Sequence, residues 1–164
     1  MDLNKLTTAD RVVAASAIVF LVAFFLPWEG IGGAANAGSD YFLTGWIPLL
    51  LAIAMVVQIA LVRFSTTQLP KLPITWGQAH LIAGGVAAVL VILRLIVPAD
   101  EGNSFITVDL DRKYGLFIAT LAAIGLAVGG FLKSKEPEEA YAGPVAGGYP
   151  GSPPPPPPPG GGSF

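Results

Sequence analysis

Four long apolar runs dominate this chain, from about Val12 to Pro27, Trp46 to Val62, Ala79 to Val97 and Tyr114 to Leu132. No acidic residue interrupts any of them, and only the third holds basic side chains, His80 and Arg94. A hydrocarbon core of ~30 Å takes roughly 17–25 helical residues to cross. A helix satisfies its own backbone polar groups there, whereas an isolated strand cannot. The runs therefore predict an all-α fold, a four-helix transmembrane bundle with spans at about 12–28, 46–63, 78–97 and 114–132. A short arm, residues 1–10, precedes the transmembrane domain at 11–135, and a tail follows at 136–164.

Composition narrows the function classes. Charged residues make up 12% of the chain and hydrophobic residues 53%, where a soluble domain carries about 25% charged residues. With 164 residues, nearly all the apolar ones in the runs, no space remains for a separate soluble domain. The absence of cysteine excludes disulfides, a thiolate nucleophile and cysteine-based metal sites. A net charge of −2 without a basic cluster gives no footprint for nucleic acid.

Orientation follows from lysine and arginine. Lys5, Arg11, Arg63, Lys71, Lys133 and Lys135 fall on one side of the four spans, and Arg112 and Lys113 on the other, with Arg94 nearby. Positive charge stays cytoplasmic during insertion, which predicts both termini inside a cell membrane. Trp28, Trp46, Trp76 and Tyr114 stand at span ends, where amphipathic rings favour the headgroup level. Thr7 and Asp10 have capping-box spacing, Pro27 and Pro98 stop spans one and three, and Pro48 fits the first turn of span two. Ala35-Asn36-Ala37 resembles a signal-peptide cleavage site behind the first run. The spacing opposes cleavage, because Pro27 and Glu29 separate the apolar run from that motif.

From about Pro137 the chain becomes a Gly/Pro/Ala/Tyr polymer, expected to be disordered for want of apolar residues to bury. It contains seven consecutive prolines, Pro153, Pro154, Pro155, Pro156, Pro157, Pro158 and Pro159. Such a run forms a polyproline II rod of roughly 20 Å, at ~3.1 Å per residue. It is either a tether or a stiff ligand for the aromatic groove of a cytoplasmic partner.

Short motifs at the span ends carry a resemblance. They are Phe25-Leu26-Pro27-Trp28, Leu93-Arg94-Leu95-Ile96-Val97-Pro98, Tyr114-Gly115-Leu116-Phe117 and Gly125-Leu126-Ala127-Val128-Gly129-Gly130. With the Gly/Pro/Tyr tail, the region from roughly 8 to 132 resembles small four-span membrane proteins of actinobacteria. The resemblance implies a cell-membrane protein and brings no catalytic residues with it.

Few side chains are candidates for chemistry. His80, the single histidine, is either a proton acceptor or an interfacial side chain hydrogen-bonded to Gln78 or headgroups. The second reading is favoured because the apolar runs hold no carboxylate to complete a relay. Arg94 is four residues from Pro98, about 6 Å of helix rise. It can snorkel to Asp100 and Glu101, or line a path for solute. Asp100, Glu101, Asn103, Asp109 and Asp111 lack the spacing of a calcium loop, while Ser104 to Leu110 has the partial alternation of a short strand. Gly125-x-x-x-Gly129, together with Gly84 and Gly85 beside Ala79, Ala83 and Ala87, marks close helix packing, within the bundle or to another membrane protein.

No P-loop, nucleophile elbow or zinc-protease motif occurs. The expectation is a non-enzymatic accessory or scaffold protein of the membrane, without a cofactor. Its partners are lipid, a membrane protein or a second copy, and a cytoplasmic ligand of the polyproline tail. The alternative is a small transporter or channel with Arg94 near its outer mouth.

Overall fold

A computed structural model describes residues 5–31, 33–65, 73–97 and 110–137. It is mostly helical, with helices α1 (Thr8–Phe24), α2 (Ile47–Phe64), α3 (Trp76–Ile96) and α4 (Tyr114–Ser134). Three stretches, Phe42–Phe64, Trp76–Ile96 and Tyr114–Ser134, are long and apolar enough to cross a membrane. The fourth helix, α1, has 17 residues.

Local chemistry sets the helix ends. Before α1, the Thr7 hydroxyl accepts from the Asp10 N–H at 3.2 Å and the Asp10 carboxylate accepts from the Thr7 N–H at 3.1 Å. Thr75 and Gln78 build the same reciprocal cap on α3, with both bonds at 3.1 Å. Two orphan donors are satisfied at each start. A π-helical turn, Phe42–Trp46, leads into α2, where Pro48 occupies the first turn. The α3 carbonyls of Leu95 and Ile96 accept from the Arg112 guanidinium at 2.5 and 3.0 Å, closing that helix where its own donors run out.

Each helix packs on its neighbours in the chain, and α1 closes the ring on α4. The α3–α4 contact is the most extensive, and glycine allows it. A Cβ on Gly84 would lie 2.5 Å from the Leu126 carbonyl oxygen, and one on Gly130 would run into the carbonyl oxygen of His80. Only bare backbone permits that approach. The core fills the ring in two zones. Phe20, Phe24, Trp28, Val91 and Leu116 form one, and Val13, Met55, Ile59, Ala87 and Leu126 the other. Outward, all four helices present large apolar side chains, including Ile18, Val22, Leu50, Val57, Ile82, Val89, Leu121 and Val128. A water-soluble surface rarely carries so continuous an apolar belt. This is a membrane protein by its three long apolar helices and the face they offer.

The expected all-α architecture needs correction. A small antiparallel sheet caps one end of the bundle, with strands β1 (Pro27–Ile31), β2 (Ala34–Ala37) and β3 (Asp111–Arg112) in the order β2-β1-β3. Glu29, Gly30 and Ile31 pair with Asn36, Ala35 and Ala34, and Glu29 and Gly30 also pair with Arg112 and Asp111. Glycine and alanine have little intrinsic strand preference, so pairing across the loop, not local sequence, makes these strands. The register shifts between Pro27 and Glu29. Bulges of this kind re-aim a side chain, and Trp28 lies there fully buried. The strand expected near Ser104 to Leu110 falls mainly outside the described residues, as do Pro98, Asp100, Glu101, Asn103, Asp109 and the prolines Pro153 to Pro159.

Candidate functional site

Two clusters of buried charge close the two ends of the ring. At the sheet end, Glu29 of β1 is fully buried. Its Oε2 accepts from the Arg94 guanidinium at 2.6 Å and from the Tyr41 hydroxyl at 3.1 Å. The guanidinium carbon sits 3.8 Å from the centre of the Tyr41 ring, which stacks on Trp28 with centroids 6.2 Å apart and planes at 26°. Burial pushes the Tyr41 phenol up, against the pull of Arg94, so the hydroxyl remains a donor. The Trp28 indole N–H donates to the Ala23 carbonyl at 2.7 Å, an oxygen in the last turn of α1 that also accepts from the Leu26 N–H at 3.1 Å. Arg94 is thus held by a carboxylate, a ring face and the sheet.

At the opposite end, Asp10 of α1 is fully buried between two cations. The Lys133 ammonium of α4 donates to its Oδ1, and the Arg63 Nε of α2 donates to its Oδ2 at 2.7 Å. Lys133 is itself 1% exposed. Arg63 also approaches Glu136, just past α4, at 3.6 Å. Three helices are joined here through one carboxylate, which additionally caps its own helix.

His80 lies at the same end and is buried between helices, 3% exposed. Gln78 is committed to the α3 cap. The imidazole instead faces two backbone carbonyls, with Nδ1 3.0 Å from Trp76 O and Nε2 3.4 Å from Met55 O on α2.

Trp28, expected at the headgroup level, is buried in the core beneath the sheet because its indole finds a carbonyl and an aromatic stack there. Trp46 is 42% exposed at the start of α2, and its indole donates to Ser39 O. Gly84 faces α4, while Gly125 and Gly129 face Ser16 and Val13 of α1. Gly85 is one position round the helix, and a Cβ there would meet nothing within 4 Å among the described residues. Asp111 is exposed on β3, its carboxylate 3.8 Å from the Lys113 ammonium. Among the described residues, no group of three His, Cys, Asp or Glu side chains gathers in a way that could hold a metal ion.

From sequence Asp10 reads only as a helix cap, Lys133 as a charge beyond the last span and Glu29 as a charge beyond the first. Asp10 and Lys133 fall just beyond the apolar runs, so a hydropathy boundary leaves them outside the bundle. The helices run further, from Thr8 and to Ser134, and carry both residues inside. The capping-box spacing of Thr7 and Asp10 was the available signal.

No family model matches the chain. No curated protein and no solved structure matches it either. The reading of function rests on the geometry and on the sequence.

Proposed function

We propose that this protein is a non-enzymatic membrane scaffold: a four-span bundle with both termini in the cytoplasm, whose proline-rich tail tethers or recruits a partner. The observation that carries this reading is the filled interior. Between the two ion clusters, Val13, Phe20, Val91, Leu116 and Leu126 are all fully buried. An apolar plug between buried ion pairs suits a bundle that keeps one shape. A transport path through the bundle calls for polar lining at depth. α1 serves as the fourth span, since its 17 residues reach the lower limit for a crossing. Ile18, Val19, Leu21 and Val22 give it an outward apolar face like those of the other helices. The lysine and arginine distribution supports the cytoplasmic termini. The resemblance to small actinobacterial four-span proteins belongs to the same reading.

Purification from gently solubilised membranes tests it with three forms: the full chain, a truncation after Lys135, and a chain with Pro153–Pro159 replaced by Gly/Ser. A polyproline-dependent partner is lost from both variants, because the replacement turns a stiff rod into a flexible coil. Solute flux in proteoliposomes at a rate above empty vesicles contradicts the scaffold reading and favours the transporter.

A further inference from the structure

Both ring nitrogens of His80 face backbone carbonyl oxygens, and only the imidazolium can donate to both at once. A carbonyl oxygen accepts hydrogen bonds and cannot donate. Neutral imidazole carries one N–H and one lone pair, and the imidazolium carries two N–H groups. Both ring nitrogens of His80 face carbonyl oxygens, at Trp76 within α3 and at Met55 across on α2. In the neutral form, one nitrogen lone pair points at an oxygen lone pair. The longer of the two contacts, 3.4 Å, is the one between helices.

The surroundings add polar capacity and room to move. Gln58 lies three residues along α2 from Met55 on the same buried face, 6% exposed, with neither amide atom hydrogen-bonded among the described residues. The ion cluster at this end holds Asp10 from α1, Arg63 from α2, Lys133 from α4 and Glu136 beyond α4, and Lys5, Arg11 and Lys135 stand exposed at the same end. The two acidic and two basic groups of the cluster cancel in formal charge, so a proton on buried His80 adds a charge beside a balanced cluster. α2 is less extensively packed on its neighbours than α4 is. On its other side, an apolar groove of about 160 Å³ lies between α2 and α1, lined by Ala17, Leu21, Ala52 and Val56 among others.

We propose that His80 is a proton-binding site that sets the position of α2: the imidazolium donates to Trp76 and Met55 and draws α2 onto α3, and its loss of the proton lets α2 relax toward the groove beside α1. The proton is the ligand, and it goes onto one ring nitrogen from solvent with no other bond made or broken. This goes beyond a static scaffold and makes the bundle responsive to the pH on the Asp10 side.

The single histidine and the absence of cysteine make the test clean. Ring-nitrogen NMR of the full chain in lipid nanodiscs, labelled at histidine, follows protonation from about pH 5 to about pH 8. Spin labels on Ala54→Cys and Ile82→Cys, both lipid-facing, report the α2–α3 distance over the same range. Both nitrogen signals are expected to move to the imidazolium position as pH falls, with the labels drawing together at the same midpoint. In His80→Gln the distance should not respond to pH. A ring that stays in one neutral tautomer throughout overturns the proposal, as does a ring that titrates while the distance in the wild-type background stays fixed.

Discussion

Arg94 and Glu29 stand 65 residues apart in the chain and meet at 2.6 Å beneath the sheet. The carboxylate is fully buried, and the guanidinium is only 12% exposed. Removing one member of a buried pair leaves the other charge without compensation, typically at about 3–5 kcal/mol. Arg94→Ala and Glu29→Gln should each lower bundle stability on that scale in detergent unfolding. Arg94→Lys should recover only part of the loss, because an ammonium cannot both lie flat on Tyr41 and reach the carboxylate as the planar guanidinium does. Full stability in the lysine variant would instead make Arg94 a simple point charge, as expected of a snorkelling anchor.

Asp10 serves both as a cap and as a counter-ion, and the two roles separate by mutation. Thr7→Ala removes the hydroxyl from the cap and leaves the charges, and should cost about 1 kcal/mol. Asp10→Asn leaves buried Lys133 and Arg63 facing one another and should cost about 3–5 kcal/mol. Equal losses in the two variants, measured by unfolding in the same detergent, would mean that capping alone accounts for Asp10.

Neighbouring glycines on α3 should behave oppositely. Gly84→Ala places a methyl 2.5 Å from the Leu126 carbonyl and forces α3 from α4. A loss of at least the 1–3 kcal/mol typical of overpacking is expected. Gly85→Ala meets open space and should gain roughly 0.5–1 kcal/mol from the better helix former. Thermal melts of the two variants compare them directly. A tolerated Gly84→Ala would show the α3–α4 contact to be looser than described.

Truncation after Lys135 removes Glu136 and its 3.6 Å contact with Arg63, along with everything beyond. Both partners are partly exposed, at 13% and 18%, and such pairs contribute about 0–1 kcal/mol. Arg63 keeps its tighter bond to Asp10. Membrane insertion and melting temperature should therefore stay close to those of the full chain, and a degraded or uninserted product would make the tail part of the fold.

The helices were legible because hydropathy and punctuation agree: Thr7 with Asp10 and Pro48 each sit where a helix begins. The sheet was hidden because Gly30 and Ala34–Ala37 have no strand signature of their own; they pair because the loop between α1 and α2 folds back on itself, Ile31 against Ala34 and Gly30 against Ala35. The ion clusters were hidden for another reason. Glu29 and Arg94 each look like an isolated charge beside an apolar run, and nothing local tells that Arg94 reaches Glu29 of β1. His80 was placed on the correct helix, but its partner Met55 is 25 residues away, beyond any local pattern. Gly77, which faces Lys133 across the α3–α4 seam, and Gly130, which faces His80, fall outside the four-residue spacing that marked Gly125 and Gly129.

The four-crossing bundle with a cytoplasmic tail is tested most directly by cysteine accessibility in intact cells, in a chain with no cysteine of its own. Single substitutions Asn4→Cys, Ser39→Cys and Ser152→Cys place one thiol before α1, one between α1 and α2 and one in the tail. An impermeant thiol reagent should label Ser39→Cys, and should label the other two only after the membrane is opened. Labelling of Asn4→Cys together with Ser39→Cys in intact cells would mean that α1 does not cross, and labelling of Ser152→Cys would put the tail on the wrong side to recruit a cytoplasmic partner.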